Sequence, residues 1–520
     1  MTMAPDEDKV DIRLLIGFLA MVVGMFMAIL DIQIVAASLS EIQAGLAASQ
    51  DEIVWVQNSY LIAEVIMIPL SGYVSRALGI RLTFVISSAG FTLASFACAF
   101  AQSMDQMIIM RVLQGFIGGA MIPTVFTAAY TLMPRSRQAS TTVVIGLVAT
   151  LAPTIGPTLG GWLTETMSWH WLFLINVIPG LFVSFVVFSF FDKEDIHLDL
   201  IRRLDVVGLI LMAAFLGCLD FVLEDGSRND WFSDQSILMC AVISVIAGIG
   251  FFWRTLTVDN PIVDLRAFQD RNFATGCVFS FTLGIALYGL VYLQPQYLAR
   301  VRGLNSMQIG QVMLVTGATQ FLTAPIIGIL SKKLDPRMLL CVGFSALVLS
   351  NYLLTDLTAD SDFDEFFWPQ VLRGAGYMFT MIPANIVALG GLSLERMKNA
   401  SGLYNLMRNL GGAFGLACIT TLFDHRLALH WARIGEALSP SRVEVQSTLQ
   451  GLGDVFSSTP GLSSSLAAMK TLGQMVYQQA LVMSFLDVFW AMAWVATFGI
   501  IVVLMTKKPV PAQPPTDAGD

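Results

Sequence analysis

The sequence predicts an all-α integral membrane protein with fourteen transmembrane helices, arranged as two six-helix halves with an extra two-helix hairpin between them. Three observations predict it. Of 520 residues, 55% are hydrophobic and 13% charged, whereas an ordinary soluble domain is about a quarter charged. Apolar stretches of about 20 residues, enough to cross a bilayer core of roughly 30 Å, recur between short polar joints. A pattern from the first part of the chain also returns in the second. A transmembrane β-barrel, which alternates over segments of about ten residues, is excluded.

The first six spans fall at about 14–37, 53–73, 82–101, 106–130, 140–163 and 170–191. Two more, about 204–224 and 235–255, form the hairpin, and six follow at about 272–294, 307–330, 338–356, 366–390, 400–423 and 477–505. An even number puts both termini on one side. Basic residues concentrate in cytoplasmic loops. Nineteen of the 29 Lys and Arg residues fall on the N-terminal side, seven on the other and three within spans, so both termini are expected in the cytoplasm. The divisions expected are a cytoplasmic N-terminus (1–13), a first half (14–191), a linker with the hairpin (192–271), a second half (272–505) that includes an external loop (424–475), and a Pro-rich, disordered cytoplasmic tail (506–520).

The repeat places Pro69, Gly72, Ser75, Arg76, Leu78 and Arg81 opposite Pro325, Gly328, Ser331, Lys332, Leu334 and Arg337, 256 residues later. Both copies make a short cytoplasmic turn. Glycine there lets helices approach closely, and the basic residues anchor the turn at the surface. The six cysteines lie singly in apolar segments, without the spacing of a zinc site or a disulfide framework. The four histidines, His170, His197, His425 and His430, have no strong metal-ligand spacing, and GxxxxGK[ST] is absent. No cofactor, metal, nucleic-acid partner or enzymatic activity is expected.

At this point the chain resembles the major facilitator superfamily, specifically its fourteen-helix drug:proton antiporters and most closely the EmrB type. LDIQIVAASL, with Asp31, resembles the first-helix LDxTIVNVALP motif, with Gln33 in place of threonine. RVLQGFIGGAMIP, with Arg111, resembles the fourth-helix RxxQG motif. APTIGPTLGG, with Gly156, Pro157, Gly160 and Gly161, resembles the fifth-helix motif associated with antiport. The turn GYVSRALGIR, with Gly72, Arg76, Gly79 and Arg81, resembles the loop after the second helix, but Arg76 stands where most members carry aspartate, as EmrB-type sequences also tend to have a basic residue. The resemblance implies a proton-driven exporter of amphipathic toxic compounds. It also implies a Gram-negative inner membrane, a periplasmic adaptor and an outer-membrane channel. Uptake or symport of a metabolite and a non-transporting scaffold are the competing readings.

Ionisable side chains inside spans are costly and usually have a partner or a function. Glu64, eight residues from Gly72, lies about 12 Å along the helix and so near the midplane. Asp31 and Arg111 share a similar depth. Asp31 or Glu64 could carry the proton, with Arg111 tuning the affinity. Asp31 and Arg111 could equally form a permanent lock, and Glu64 could bind a cationic drug. In the second half Arg408 and Asp487 are read as a structural pair, Arg373 as the approximate counterpart of Arg111, and Asp220 and Glu224 of the hairpin as lying outside the translocation path. The glycines of GPxxGG let helices pack closely while Pro157 weakens the local ladder. Gly328, Lys332 and Arg337 repeat the gating turn.

Overall fold

The computed structural model describes residues 11–49, 51–197, 199–200, 204–258, 261–304, 306–392, 394–439, 441–456 and 464–507. Most of both tails, including Lys9 and Lys508, and the joint residues Arg202 and Arg203 lie outside the described residues.

The apolar stretches form helices because in the membrane each backbone N–H and C=O must find a partner within its own segment. The first half contains α1 (Ile12–Ala36), α2 (Leu39–Leu46), α3 (Trp55–Cys98), α4 (Met104–Gly118), α5 (Met121–Thr131), α6 (Arg135–Thr166), α7 (Trp171–Leu174) and α8 (Val177–Phe190). The hairpin is α9 (Val206–Asp225) and α10 (Gln235–Thr257). The second half contains α11 (Arg271–Arg300), α12 (Ser306–Leu330), α13 (Pro336–Leu353), α14 (Phe363–Leu389), α15 (Leu394–Ala437), α16 (Val443–Phe456) and α17 (Ser464–Met505). Aspartates in the polar joints begin several of them: Asp11, Asp205, Asp234, Asp270 and Asp335 each accept a backbone N–H of the first turn, satisfying an otherwise unpaired donor.

Among the described residues twelve helices are long and apolar enough to cross a membrane. This differs from the fourteen spans expected from the sequence, at two places. The 44-residue α3 runs through two expected spans, with Gly79 breaking helical geometry inside it at φ 81° and ψ 165°. Phe363–Leu389 is a 27-residue helix outside the twelve, with Asp364 and Glu365 in its first turn. The outward faces are apolar, as on α8, where Ile178, Phe182 and Phe185 are 81, 63 and 68% exposed. Water would not tolerate such a continuous surface, but lipid does.

The two halves meet along two seams, α3 against α15 and α6 against α12. Glycines of the repeat sit on both: a Cβ on Gly72 would come within 2.7 Å of the Lys398 carbonyl oxygen, and one on Gly328 within 2.7 Å of Val143. The hairpin packs through α9 against α3 and α15. It therefore lies across one seam.

The segment read as an external loop is largely helical. At about 1.5 Å per residue the 44-residue α15 and 42-residue α17 extend over 60 Å, about twice the bilayer core. No proline interrupts α15 after its apolar stretch, and charged residues such as Arg426 and Glu436 continue the helix into water. The projecting ends are tied by an edge-on contact of Trp431 and Tyr477 with centroids 5.7 Å apart, and α16 packs on α17.

Candidate functional site

A cavity of about 270 Å³ opens between the halves, away from the N-terminal face. Ile32 and Gln33 reach it from α1, Gln57, Leu61 and Glu64 from α3, and Pro157 from α6. The second half contributes Tyr288 and Tyr292 from α11 and Asn409 and Gly412 from α15. Asp220 and Glu224 of the hairpin complete the wall. The sequence reading assigns these two carboxylates a water-facing or interhelical role outside the translocation path; they line this cavity because α9 packs against both α3 and α15. Glu64 is 1% exposed and has neither a hydrogen bond nor an ion pair among the described residues.

Asp31 is placed differently. Its carboxylate accepts from Arg111 Nη1 at 2.7 Å, Asn176 Nδ2 at 2.7 Å and Gln114 Nε2 at 3.2 Å. Arg111 also donates through Nε to the Val56 carbonyl at 2.9 Å and through Nη1 to Gln114 Oε1 at 2.8 Å, and its guanidinium lies 4.2 Å from the Tyr60 ring centroid. Both partners are fully buried, and neither lines the cavity. The network joins α1, α3, α4 and the start of α8 within the first half.

Gly156 and Gly160 pack α6 onto α1: a Cβ on Gly156 would strike Gln33, and one on Gly160 would meet the Ile34 carbonyl at 2.7 Å. Pro157 faces the cavity. Gly161 is half-buried beside them.

Below the cavity the N-terminal face is closed. Ser401 and Thr127 hydroxyls are 2.7 Å apart across the halves, and a Cβ on Gly402 would touch the Ile68 carbonyl at 3.0 Å. Glu194, from the joint after α8, accepts from Ile80 N at 2.7 Å and Arg81 N at 3.3 Å, capping the helix that restarts after Gly79. The same carboxylate lies 3.8 Å from Lys398 Nζ, which donates to the Ser75 carbonyl at 3.2 Å. Arg76 stands over Tyr73 at 5.3 Å and Arg81 over Phe188 at 4.5 Å. In the second copy of the turn Lys332 is exposed, and Arg337 pairs with Asp335 at 3.1 Å. Sequence reading did not single out Glu194 or Lys398. Their link spans 204 positions, and no local pattern signals it.

Arg408 and Asp487 do not pair. Asp487 receives His430 Nε2 at 2.7 Å and lies 3.6 Å from Arg426 Nε. Because α15 runs on to Ala437, Asp487 stands level with His430, which is 22 residues, or about 33 Å, along the helix from Arg408. Arg408 donates instead to Asn405 Oδ1 at 2.6 Å and sits 5.6 Å from the Phe126 ring of the other half, one residue before Asn409 of the cavity wall. Arg373 is 1% exposed and is held by Gln294 and by Met313 Sδ at 3.8 Å, without an ion pair among the described residues.

The sequence matches the Major Facilitator Superfamily over residues 21–416. It is 41% identical to the colistin resistance protein EmrB of Acinetobacter baumannii, covering 92% of this chain and 93% of that one. It is 31% identical to the multidrug export protein EmrB of Escherichia coli K12, covering 98% and 97%. Among solved structures, the proton:xylose symporter XylE aligns over 94% of each chain with a TM-score of 0.59 at 11% identity. The human organic anion transporter MFSD10 aligns over 95% of this chain and 100% of that one, with a TM-score of 0.55 at 14% identity. These structures share the fold. With near full-length relatives and a family match across both halves, the chain belongs to the Major Facilitator Superfamily, as a transport protein related to the EmrB-type multidrug exporters.

Proposed function

We propose that the chain exports amphipathic toxic compounds across the inner membrane in exchange for protons, by alternating access of the cavity between its halves. The observation that carries this reading is Glu64: a carboxylate buried at the cavity wall, free of hydrogen bonds and ion pairs among the described residues. A group that is alternately wetted and enclosed changes its proton affinity, and that change can couple proton entry to substrate release. Asp31 and Arg111 serve as a lock that holds the first half together. Their full set of buried partners supports this role. Arg408, within electrostatic reach of Glu64, supplies the charge that responds when Glu64 changes state, while Arg373 and Asp487 hold the second half.

Fourteen spans are proposed, with α3 counted as two helices meeting at Gly79 and α14 as a span. Both termini then lie in the cytoplasm. On this assignment the structure is closed to the cytoplasm and open outward. Gly72, Arg76, Gly79, Arg81, Gly328, Lys332 and Arg337 form the cytoplasmic turns of the seams. Gly156, Pro157, Gly160 and Gly161 keep α6 against α1 while Pro157 borders the path. Division into residues 14–191, 192–271 and 272–505 is proposed, and the contacts along the two seams and at the hairpin support it. The names of the relatives, for colistin resistance and multidrug export, support drugs as substrates. A periplasmic adaptor and an outer-membrane channel are proposed partners, and the projecting ends of α15 and α17 with α16 are the docking surface.

Inside-out vesicles test the reading. Energised vesicles are expected to accumulate ethidium and to release it when a protonophore collapses the gradient. Inward-driven symport of a metabolite without drug export would refute it.

A further inference from the structure

We propose that the inserted hairpin supplies part of the substrate site. Asp220 and Glu224 of α9 join Glu64 of α3 in a three-carboxylate wall that selects amphipathic molecules bearing two or more positive charges. The inference rests on the export reading above and names its substrate class.

Residues four apart on a helix share a face, so Asp220 and Glu224 present their carboxylates one turn apart. Both line the cavity together with Glu64. One turn earlier α9 lies against α3 at Gly217, where a Cβ would make ordinary contact with Ile62 at 3.4 Å and Ile66 at 3.5 Å. The far end of α9 is fastened to both halves. On the first-half side, Asn58 Nδ2 donates to Asp225 at 2.9 Å, and Trp55 stacks on Phe221 with centroids 5.4 Å apart. On the second-half side, Trp231 Nε1 donates to Thr421 Oγ1 at 3.1 Å, and the Ser227 and Thr420 hydroxyls are 3.0 Å apart. The acidic face of α9 is therefore held in register over the opening.

The three wall carboxylates differ from their neighbour Asp225, which is taken up by Asn58. Asp220 is 3% exposed, and its Oδ2 has no hydrogen-bond partner. Neither Glu64 nor Glu224 has a hydrogen bond or ion pair among the described residues. No Lys, Arg or His is among the described residues lining the cavity. The charged groups within electrostatic reach of Asp220 and Glu224 are other carboxylates. The cations that act on Glu64 are Arg111, which is already paired with Asp31, and Arg408, and neither lines the cavity. Unpaired acids kept together in an apolar wall are expensive, and a ligand that brings matching positive charges removes that cost in proportion to its charge. A neutral ligand removes none. Tyr288 and Tyr292 add aromatic faces suited to cations, while Leu61, Val65, Val291 and Leu416 take the apolar body.

The test uses three fluorescent amphipaths: DAPI, a dication; ethidium, a monocation; and Nile red, which is neutral. Export of each by full-length protein is compared between wild type, Asp220→Asn, Glu224→Gln, the double variant and Asp220→Glu. Binding of DAPI and Nile red to detergent-purified protein provides a readout that needs no turnover. The ratio of DAPI to Nile red, in transport and in binding, is expected to fall at least about tenfold in the double variant. The ethidium ratio is expected to fall less, and Asp220→Glu should retain the wild-type preference for DAPI. An unchanged ratio, or equal losses for all three dyes, would overturn the proposal while leaving gradient-driven export standing. Wild-type vesicles that move none of the dyes would overturn the export reading itself and this inference with it.

Discussion

Asp31→Asn tests whether the buried pair is a lock or a proton carrier. The carboxylate sits among three donors, from Arg111, Asn176 and Gln114, and its ion pair with Arg111 is 2.7 Å long with both side chains fully buried. Substitution removes the charge opposite Arg111 and turns one acceptor into a donor facing other donors. Arg111 keeps the Val56 carbonyl, Gln114 Oε1 and at best one neutral amide oxygen as acceptors. Two unit charges about 4 Å apart attract by about 4 kcal/mol at an effective dielectric of about 20, and removing one partner of a buried pair costs about 3–5 kcal/mol. We predict a loss of that size for Asp31→Asn. Asp31→Asn combined with Arg111→Gln should cost less than the sum of the two single losses by at least about 2 kcal/mol. The assay is unfolding in mixed micelles with rising SDS fraction, read as a double-mutant cycle, alongside vesicle export. An Asp31→Asn protein within about 1 kcal/mol of wild type that has lost proton coupling would refute the lock and make Asp31 the carrier.

Glu64→Gln is expected to abolish gradient-driven export while the protein remains folded by size-exclusion chromatography; normal gradient-driven rates for every substrate would remove Glu64 from the mechanism. Gly160→Ala should lower stability by about 1–3 kcal/mol, because its Cβ meets the Ile34 carbonyl at 2.7 Å and Ser38 Oγ at 3.2 Å; a wild-type unfolding midpoint would contradict close α1/α6 packing. Gly79→Ala should cost about 1–3 kcal/mol because φ is 81° there, measured in the same unfolding assay. Glu194→Gln removes the charge that both caps the restarted helix and faces Lys398. It should increase labelling of a cysteine placed at Ser75 by a membrane-impermeant thiol reagent added from the cytoplasmic face, and unchanged labelling would show that the contact does not hold that face shut.

Much of the scaffold was readable in the sequence because membrane spans need long apolar runs and basic residues mark their ends. Depth along a helix was readable too. Asp31 and Arg111, given a similar depth by counting residues, do meet, but a count says nothing of which helix a side chain faces. Asp220 and Glu224 show this limit. Their place in a hairpin was evident, whereas the packing of α9 into the α3/α15 gap is a tertiary fact that brings them to Glu64. Arg408 and Asp487 stand apart because the helix outlasts its hydrophobic stretch. Continuation of α15 to Ala437 moved the partner to His430. The repeat carried more information than either half alone, since Gly72 and Gly328 both proved to sit against the opposite half. The carboxylate that meets the turn after Arg76 is Glu194, from a joint more than a hundred residues away in sequence.

Proton movement in sealed vesicles that contain only the purified protein tests the central claim most directly. With a pH-sensitive dye trapped inside and no imposed gradient, ethidium supplied on the cytoplasmic face should be taken across while protons move the opposite way, and Glu64→Gln should abolish both movements. Ethidium transport with no proton flux, or with protons moving in the same direction, would contradict the antiport account.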